Sequence, residues 1–202
     1  MKTSVYGVHP GVAMVQDAIA RLPEKTGKSL DEWIALINQR GPKGGSARRD
    51  WLKKAYGLGT NYAGWLADRA EGKGEDGDPD AYLATAERYV EDMFAGPKSG
   101  LRPLFDALVT LGLSTGPDVK ACPCKTIVPL YRHHVFAQIK PATRTRIDFG
   151  LALGGTKAPK RLVDTGGFKK RDRITHRIEI ASTADIDEEV KRWLKKAYEL
   201  DA

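Results

Sequence analysis

The sequence predicts an α+β protein, with a small N-terminal helical unit followed by an antiparallel sheet packed with helices. Three observations carry this expectation. Before residue 72, apolar residues recur at three- and four-residue spacing, the period of helices with one buried face. Over residues 135–153 they alternate instead, the period of a half-buried hairpin. Between these regimes, residues 72–79 read Gly-Lys-Gly-Glu-Asp-Gly-Asp-Pro, which has charge and glycine but nothing to bury. The expected organisation is a helical domain over residues 1–72, a linker over 73–79 and an α+β domain over 80–202.

In the helical part, Pro10 suits a first turn, and Val12, Val15, Ile19 and Leu22 follow on one face. Ser29 and Glu32 form a capping box ahead of Leu30, Trp33, Ile34 and Ile37. Gly41-Pro42 stops that helix. Ser46 is the expected cap of the next, which turns Trp51, Leu52, Ala55 and Tyr56 inward and breaks at Gly57-Leu58-Gly59. A fourth helix, over about residues 60–69, carries Tyr62, Trp65 and Leu66.

Beyond the linker, Asp78 caps a helix striped by Tyr82, Ala86, Tyr89, Val90 and Met93, and Gly96-Pro97 ends it. Leu101, Leu104, Phe105, Leu108 and Leu111 mark another. Residues 119–131 read as extended, with Pro123 and Pro129 suiting an edge or a turn. In the hairpin, Val135, Ala137 and Ile139 share a face, as do Ile147, Phe149, Leu151 and Leu153, with the turn at Pro141-Ala142. The opposite face of the second strand carries Arg144, Arg146 and Asp148. Residues 154–173 lack periodicity, and a loop of that length inside a domain is usually functional or mobile. His176, Ile178 and Ile180 alternate as a strand. Asp185, with Glu188, is the expected cap of a last helix striped by Ile186, Val190, Trp193, Leu194 and Ala197.

Hydrophobic residues make up 41% of the 202, enough for a core. A mean hydropathy of −0.43 and the lack of an apolar run near the ~20 residues of a spanning helix argue against a membrane protein. The first residues have no apolar segment of signal-peptide type, and two cysteines make no disulfide scaffold, so a cytoplasmic location is expected. Net charge is +7, and it is uneven: residues 118–181 hold fourteen Lys and Arg against five Asp and Glu, a local excess of +9. Such a bias steers phosphate-bearing partners, although it also fits a merely solvated surface.

Two stretches point to an anion. Tyr56-Gly57-Leu58-Gly59-Thr60-Asn61-Tyr62-Ala63 resembles a helix-hairpin-helix element. There Gly57 and Gly59 would let backbone approach a phosphate at a helix N-terminus, with Lys53 and Lys54 one turn earlier. The competing reading is an ordinary glycine C-cap, and the turn lacks the length and proline of a true hairpin. The second stretch is the basic loop: Lys157, Lys160 and Arg161, then Gly166-Gly167-Phe168-Lys169-Lys170-Arg171-Asp172-Arg173, with Phe168 able to stack on a base. Arg144 and Arg146 could join it from the hairpin. Cys122 and Cys124 with His133 and His134 are soft ligands in poor spacing, because Cys-x-Cys is too short for a zinc knuckle. Two small buried thiols are the expectation, with no metal and no cofactor. No spacing singles out a catalytic triad. His176 reads as structural and the four tryptophans as core.

Two segments resemble known families. Lys25-Thr26-Gly27-Lys28-Ser29-Leu30-Asp31-Glu32-Trp33-Ile34 with Tyr56-Gly57-Leu58-Gly59-Thr60-Asn61-Tyr62-Ala63 is similar to a bacterial helical family, domain of unknown function 4287. His134-Val135-Phe136-Ala137-Gln138-Ile139, Arg146-Ile147-Asp148-Phe149-Gly150-Leu151, Thr175-His176-Arg177-Ile178 and Val190-Lys191-Arg192-Trp193-Leu194-Lys195-Lys196-Ala197-Tyr198 resemble domain of unknown function 5655. The resemblance implies a fold and no catalytic residues; relatives of the second family joined to nuclease-like regions point by association to nucleic acid. The leading expectation is a non-enzymatic nucleic-acid-binding or accessory protein, with DNA or RNA as partner. The alternatives are an enzyme or small anionic-ligand binder with a pocket between the sheet and the 154–173 loop, and a protein-interaction adaptor.

Overall fold

In the computed structural model, which describes residues 4–73, 77–159 and 161–202, the chain divides into two units. One is Pro10–Tyr82; the other joins residues 4–9 to Leu83–Ala202. Gly74, Glu75 and Asp76 of the expected linker, and the candidate Lys160, lie outside the described residues.

The first unit holds α1 (Pro10–Ala20), α2 (Leu22–Thr26), α3 (Leu30–Arg40), α4 (Gly45–Tyr56) and α5 (Thr60–Ala70). The Ser29 box forms as expected: Ser29 N–H donates to Glu32 Oε2 at 2.7 Å, and Glu32 N–H donates to Ser29 Oγ at 3.3 Å. Ser46 is not a cap. The helix begins at Gly45 and its cap is Gly44 at φ 92°, a left-handed backbone that glycine supplies cheaply. The core is Leu22, Trp33, Ile37, Leu52, Ala63, Leu66 and Ala67, with Trp51, Tyr62 and Trp65 packed against it.

The helix α6 (Pro79–Met93) spans the division at Tyr82. A 3-10 turn at Gly96–Leu101 and α7 (Arg102–Leu113) lead into the sheet. Its strands are β1 (Lys120–Ala121), β2 (Val128–Tyr131), β3 (Val135–Pro141), β4 (Ile147–Leu151), β5 (Val163–Asp164) and β6 (His176–Ile180). A short helix, α8 (Gly167–Lys170), lies between β5 and β6, and α9 (Glu188–Glu199) follows. The strand order is β1-β2-β3-β4-β6-β5, antiparallel at every pairing. Residues 4–9 run beside β1: Gly7 N–H donates to the Ala121 carbonyl at 2.9 Å, and the Cys122 thiol lies 3.7 Å from the Val8 carbonyl.

The alternation read from the sequence is the register of the sheet. Ile139, Phe149 and Ile178 stand opposite one another across three strands, all fully buried. Phe105 and Leu108 of α7, and Val190 and Leu194 of α9, belong to the same core. The other face of β4 and β6 is polar. Arg177 lies 2.6 Å from Glu179 and 3.1 Å from Asp148. Arg146 lies 2.9 Å from Asp148, as an ion pair without hydrogen-bond alignment, and 3.1 Å from Glu179.

Several local expectations shift. The hairpin turn occupies residues 142–146 rather than Pro141-Ala142, because Ala142 and Thr143 N–H both turn back to the Arg146 carbonyl. Arg144 is therefore a turn residue and shares no strand face with Asp148. Pro129 lies inside β2, yet its carbonyl accepts from Cys122 N–H. Its missing donor therefore faces the two-residue β1 and costs no bond to β3. The aperiodic 154–173 stretch contains β5 and α8. Asp185 caps no α-helix: it closes a 3-10 turn by accepting from Ala181 and Ser182 N–H, and Asp187 caps α9.

Four carboxylates of the second unit are held below their ordinary range. Asp118 is lowered chiefly by the Tyr198 hydroxyl, Glu179 by Arg177, Asp185 by Ala181 N–H and Asp187 by Val190 N–H. A depressed carboxylate contributes stability above its unfolded value, and that contribution is lost as pH falls through the folded one. The sheet unit is expected to unfold at lower urea at pH 3 than at pH 7, since the unfolded groups titrate near about 4. An unchanged midpoint would refute the coupling.

Candidate anion-binding cleft

The C-terminal ends of β4 and α9 and the residues preceding β6 meet at one end of the sheet. There Leu153 N–H donates to Thr175 Oγ1 at 3.1 Å, and Thr175 N–H donates to the Leu151 carbonyl at 3.1 Å. This pins residues 152–156 beside residues 171–175. His176, buried under the strand, has Nδ1 2.9 Å from Thr175 Oγ1 and Nε2 2.9 Å from the Thr156 carbonyl. At 2% exposure it is buried more fully than its place in the alternation predicts.

A cleft of about 960 Å³ opens here. Gly154 and Gly155 form one wall, Phe168 and Arg171 another, and Arg173, Lys196 and Leu200 complete it. Gly167 starts α8 and is buried so tightly that a Cβ on it would lie 2.4 Å from the Ile174 carbonyl oxygen. That fixes the next residue, Phe168, which stays 62% exposed. Arg171 caps α8 at φ 60°, the only non-glycine residue with positive φ among the described residues. Three cations thus rim the cleft, with Asp172 among them.

Behind the rim lies a buried carboxylate. Asp201 accepts His134 N–H on Oδ2 at 2.8 Å, and its Oδ1 meets His134 Nδ1 at 3.1 Å and the Arg173 guanidinium. Arg173 Nε also donates to the Val135 carbonyl at 3.1 Å. Nearby, Arg132 lies over the Tyr198 ring at 4.3 Å and donates to Asp118 at 2.9 Å, tying α9 to the turn before β3.

Residues 90–201, more than half of the chain, match the family model described as domain of unknown function (DUF5655). The chain belongs to this family. Residues 14–72 match a second model, domain of unknown function (DUF4287). No curated protein matches the chain, and neither does any solved structure. The cleft and the Asp201 cluster lie within the DUF5655 match.

The DUF5655 fold separates the basic residues that the sequence placed together. Phe168 and Arg171 line the cleft, with Lys169 and Lys170 exposed on the same short helix. Lys157 is exposed on the loop. Arg161 is engaged with Asp187, Glu189 and the Asp185 carbonyl, and Arg146 with Asp148 and Glu179. Arg144 goes to the opposite end of the strands, to a hollow of about 510 Å³ shared with Lys98, Lys125 and Lys140. In the other unit, Lys53 and Lys54 end α4, and Gly57 caps it at φ 67°, donating to the Lys53 carbonyl. Gly59 begins α5 at φ −62°, a backbone open to any residue.

Cys122 is buried, and burial pushes its thiol up to about 12, too high for a thiolate at neutral pH. Cys124 is only half-buried, which corrects the expectation of two buried thiols. Cys122 N–H bonds to Pro129, whereas His133 and His134 lie past Tyr131 at the other end of β2. Among the described residues, no group of three or more such side chains is placed to hold a metal ion. Among them, too, no helix is long and apolar enough to cross a membrane. The sequence reading missed Lys196, which lines the cleft, and Asp201, which holds Arg173 behind it, because both are placed only by the packing of α9.

Proposed function

We propose that the DUF5655 domain binds single-stranded nucleic acid across this cleft. The observation that carries the reading is the exposed Phe168 ring held beside the cation-rimmed cleft. A folded chain gains nothing from fixing an aromatic ring in water, whereas a base gains a stacking platform. Arg171, Arg173 and Lys196 supply charge for the backbone, and Lys169 and Lys170 extend it. A duplex has no splayed base to offer Phe168, which favours a single strand.

Fluorescence anisotropy on a labelled mixed-sequence single strand tests the reading. Stacking is worth about 1–3 kcal/mol per base, so Phe168→Ala is expected to weaken binding roughly 5- to 150-fold. Affinity should fall with salt at a slope near −0.7 per phosphate neutralised, and replacing Lys169, Lys170 and Arg171 by alanine should flatten it by up to about 2. No binding at low salt, or a Phe168→Ala variant matching wild type, overturns the proposal.

A further inference from the structure

His134 is built differently from His176 and His9. His176 is buried with both ring nitrogens engaged, and His9 Nε2 lies 3.1 Å from the Tyr131 hydroxyl. His134 is fixed at one nitrogen and open at the other. Its Nδ1 lies 3.1 Å from Asp201 Oδ1, while its side chain is 71% exposed. The Asp201 side chain is 1% exposed and receives His134 N–H, His134 Nδ1 and Arg173. With a carboxylate oxygen accepting at Nδ1, the neutral ring has its proton on Nδ1 and its lone pair on Nε2. A buried carboxylate that fixes an imidazole's tautomer, leaving its second nitrogen accessible, is the arrangement of an oriented general base.

His134 is joined to the cleft through Arg173. Arg173 shares Asp201 Oδ1 with His134 and lines both the cleft and a smaller hollow with Val135 and Gln138. Its side chain is 47% exposed, which leaves donors for a phosphate.

We propose that His134 is the general base of an RNA-cleaving site, with Asp201 as its positioning residue and Arg173 facing the phosphate; this rests on the nucleic-acid reading of the cleft. RNA carries its own nucleophile, so one base and one cation are enough. His134 Nε2 takes the proton of a 2′-hydroxyl, and the 2′-oxygen attacks the adjacent phosphorus. The bond from phosphorus to the 5′-oxygen breaks, and that oxygen leaves with a proton from water. The imidazolium then returns its proton to the resulting hydroxide. The products are a 2′,3′-cyclic phosphate and a 5′-hydroxyl end. Arg173 stabilises charge on the non-bridging oxygens during attack.

The test uses the full chain and three labelled strands of one sequence: RNA, its 2′-O-methyl form and DNA. Anisotropy on the 2′-O-methyl strand reads binding without cleavage, and gel analysis of the RNA reads cleavage and its end groups. The expected result is binding to all three, with cyclic-phosphate ends from RNA alone. His134→Ala, purified identically to expose any contaminating nuclease, should lower the rate by about 10²- to 10⁴-fold and leave binding intact. The wild-type rate should rise with pH through one ionisation, and that ionisation should move in Asp201→Asn. Asp201 contacts the ring and Arg173 shares its Oδ1, while Arg132 and His133 precede it in the chain, with Arg132 bonded to Asp118 and lying over the titratable Tyr198. A purely structural clamp would change stability and leave the pH profile alone. Binding without RNA cleavage, equal cleavage of the 2′-O-methyl strand, or full activity in His134→Ala each overturns the catalytic inference. No binding to any strand overturns the cleft reading with it.

Discussion

Phe149→Ala should destabilise the sheet unit by about 3–5 kcal/mol, the usual cost of emptying a buried aromatic site. Phe149 is fully buried on β4, flanked by Ile139 and Ile178 in register. Strands hold their backbones through the ladder, so neighbours cannot collapse into the void and the cavity term stays near its upper end. Domains of this size are stable by only about 5–15 kcal/mol, so the variant loses a large share of the total. The check is a urea melt with a Phe149→Leu control, which keeps most of the volume and should cost far less. A loss below about 1 kcal/mol in the alanine variant would refute the central placement of β4.

The same alternation that makes Phe149 critical made the hairpin legible. A strand half-buried in an antiparallel sheet must repeat every two residues, and β4 and β6 do so with little interruption. The Ser29 box was equally plain, since its donors and acceptors lie within four residues. Where the reading slipped, two local solutions competed. Ser46 and Gly44 can both begin α4, and the glycine wins because the chain enters at φ 92°. Asp185 and Asp187 are both good caps, and the 3-10 turn takes the first. Composition alone does not decide such contests, because the entry direction of the chain belongs to the tertiary fold.

The candidate site was legible only in halves. Phe168 and Arg171 stand in an evidently basic, glycine-rich stretch. The partners that give them a cleft do not: Lys196 looks like any solvated lysine on an amphipathic helix. Asp201 and His134 are 67 residues apart in sequence, and only the docking of α9 brings them together. Charge counting also grouped Arg146 and Arg161 with the anion-binding candidates, although both are committed to carboxylates. A count of cations cannot tell a paired arginine from an available one.

In the helical unit, Trp33→Ala is expected to have the largest effect. Trp33 is 1% exposed at the centre of a core with seven buried apolar side chains, two of them alanines. Its Nε1 donates to Thr26 Oγ1 at 2.8 Å, and its ring meets Tyr56 edge-on at 5.2 Å. Truncation should cost about 3–5 kcal/mol, which is comparable to all that a single small core usually supplies. Amides in α3, α4 and α5 should therefore lose most of their protection from hydrogen exchange, read peptide by peptide by mass spectrometry. Trp33→Phe separates the two contributions. It keeps a buried ring but drops the donor, so it should retain measurable protection at a cost of about 1 kcal/mol for the hydrogen bond plus a smaller packing loss. Native exchange rates in α3–α5 of the alanine variant would show that Trp33 does not anchor this core.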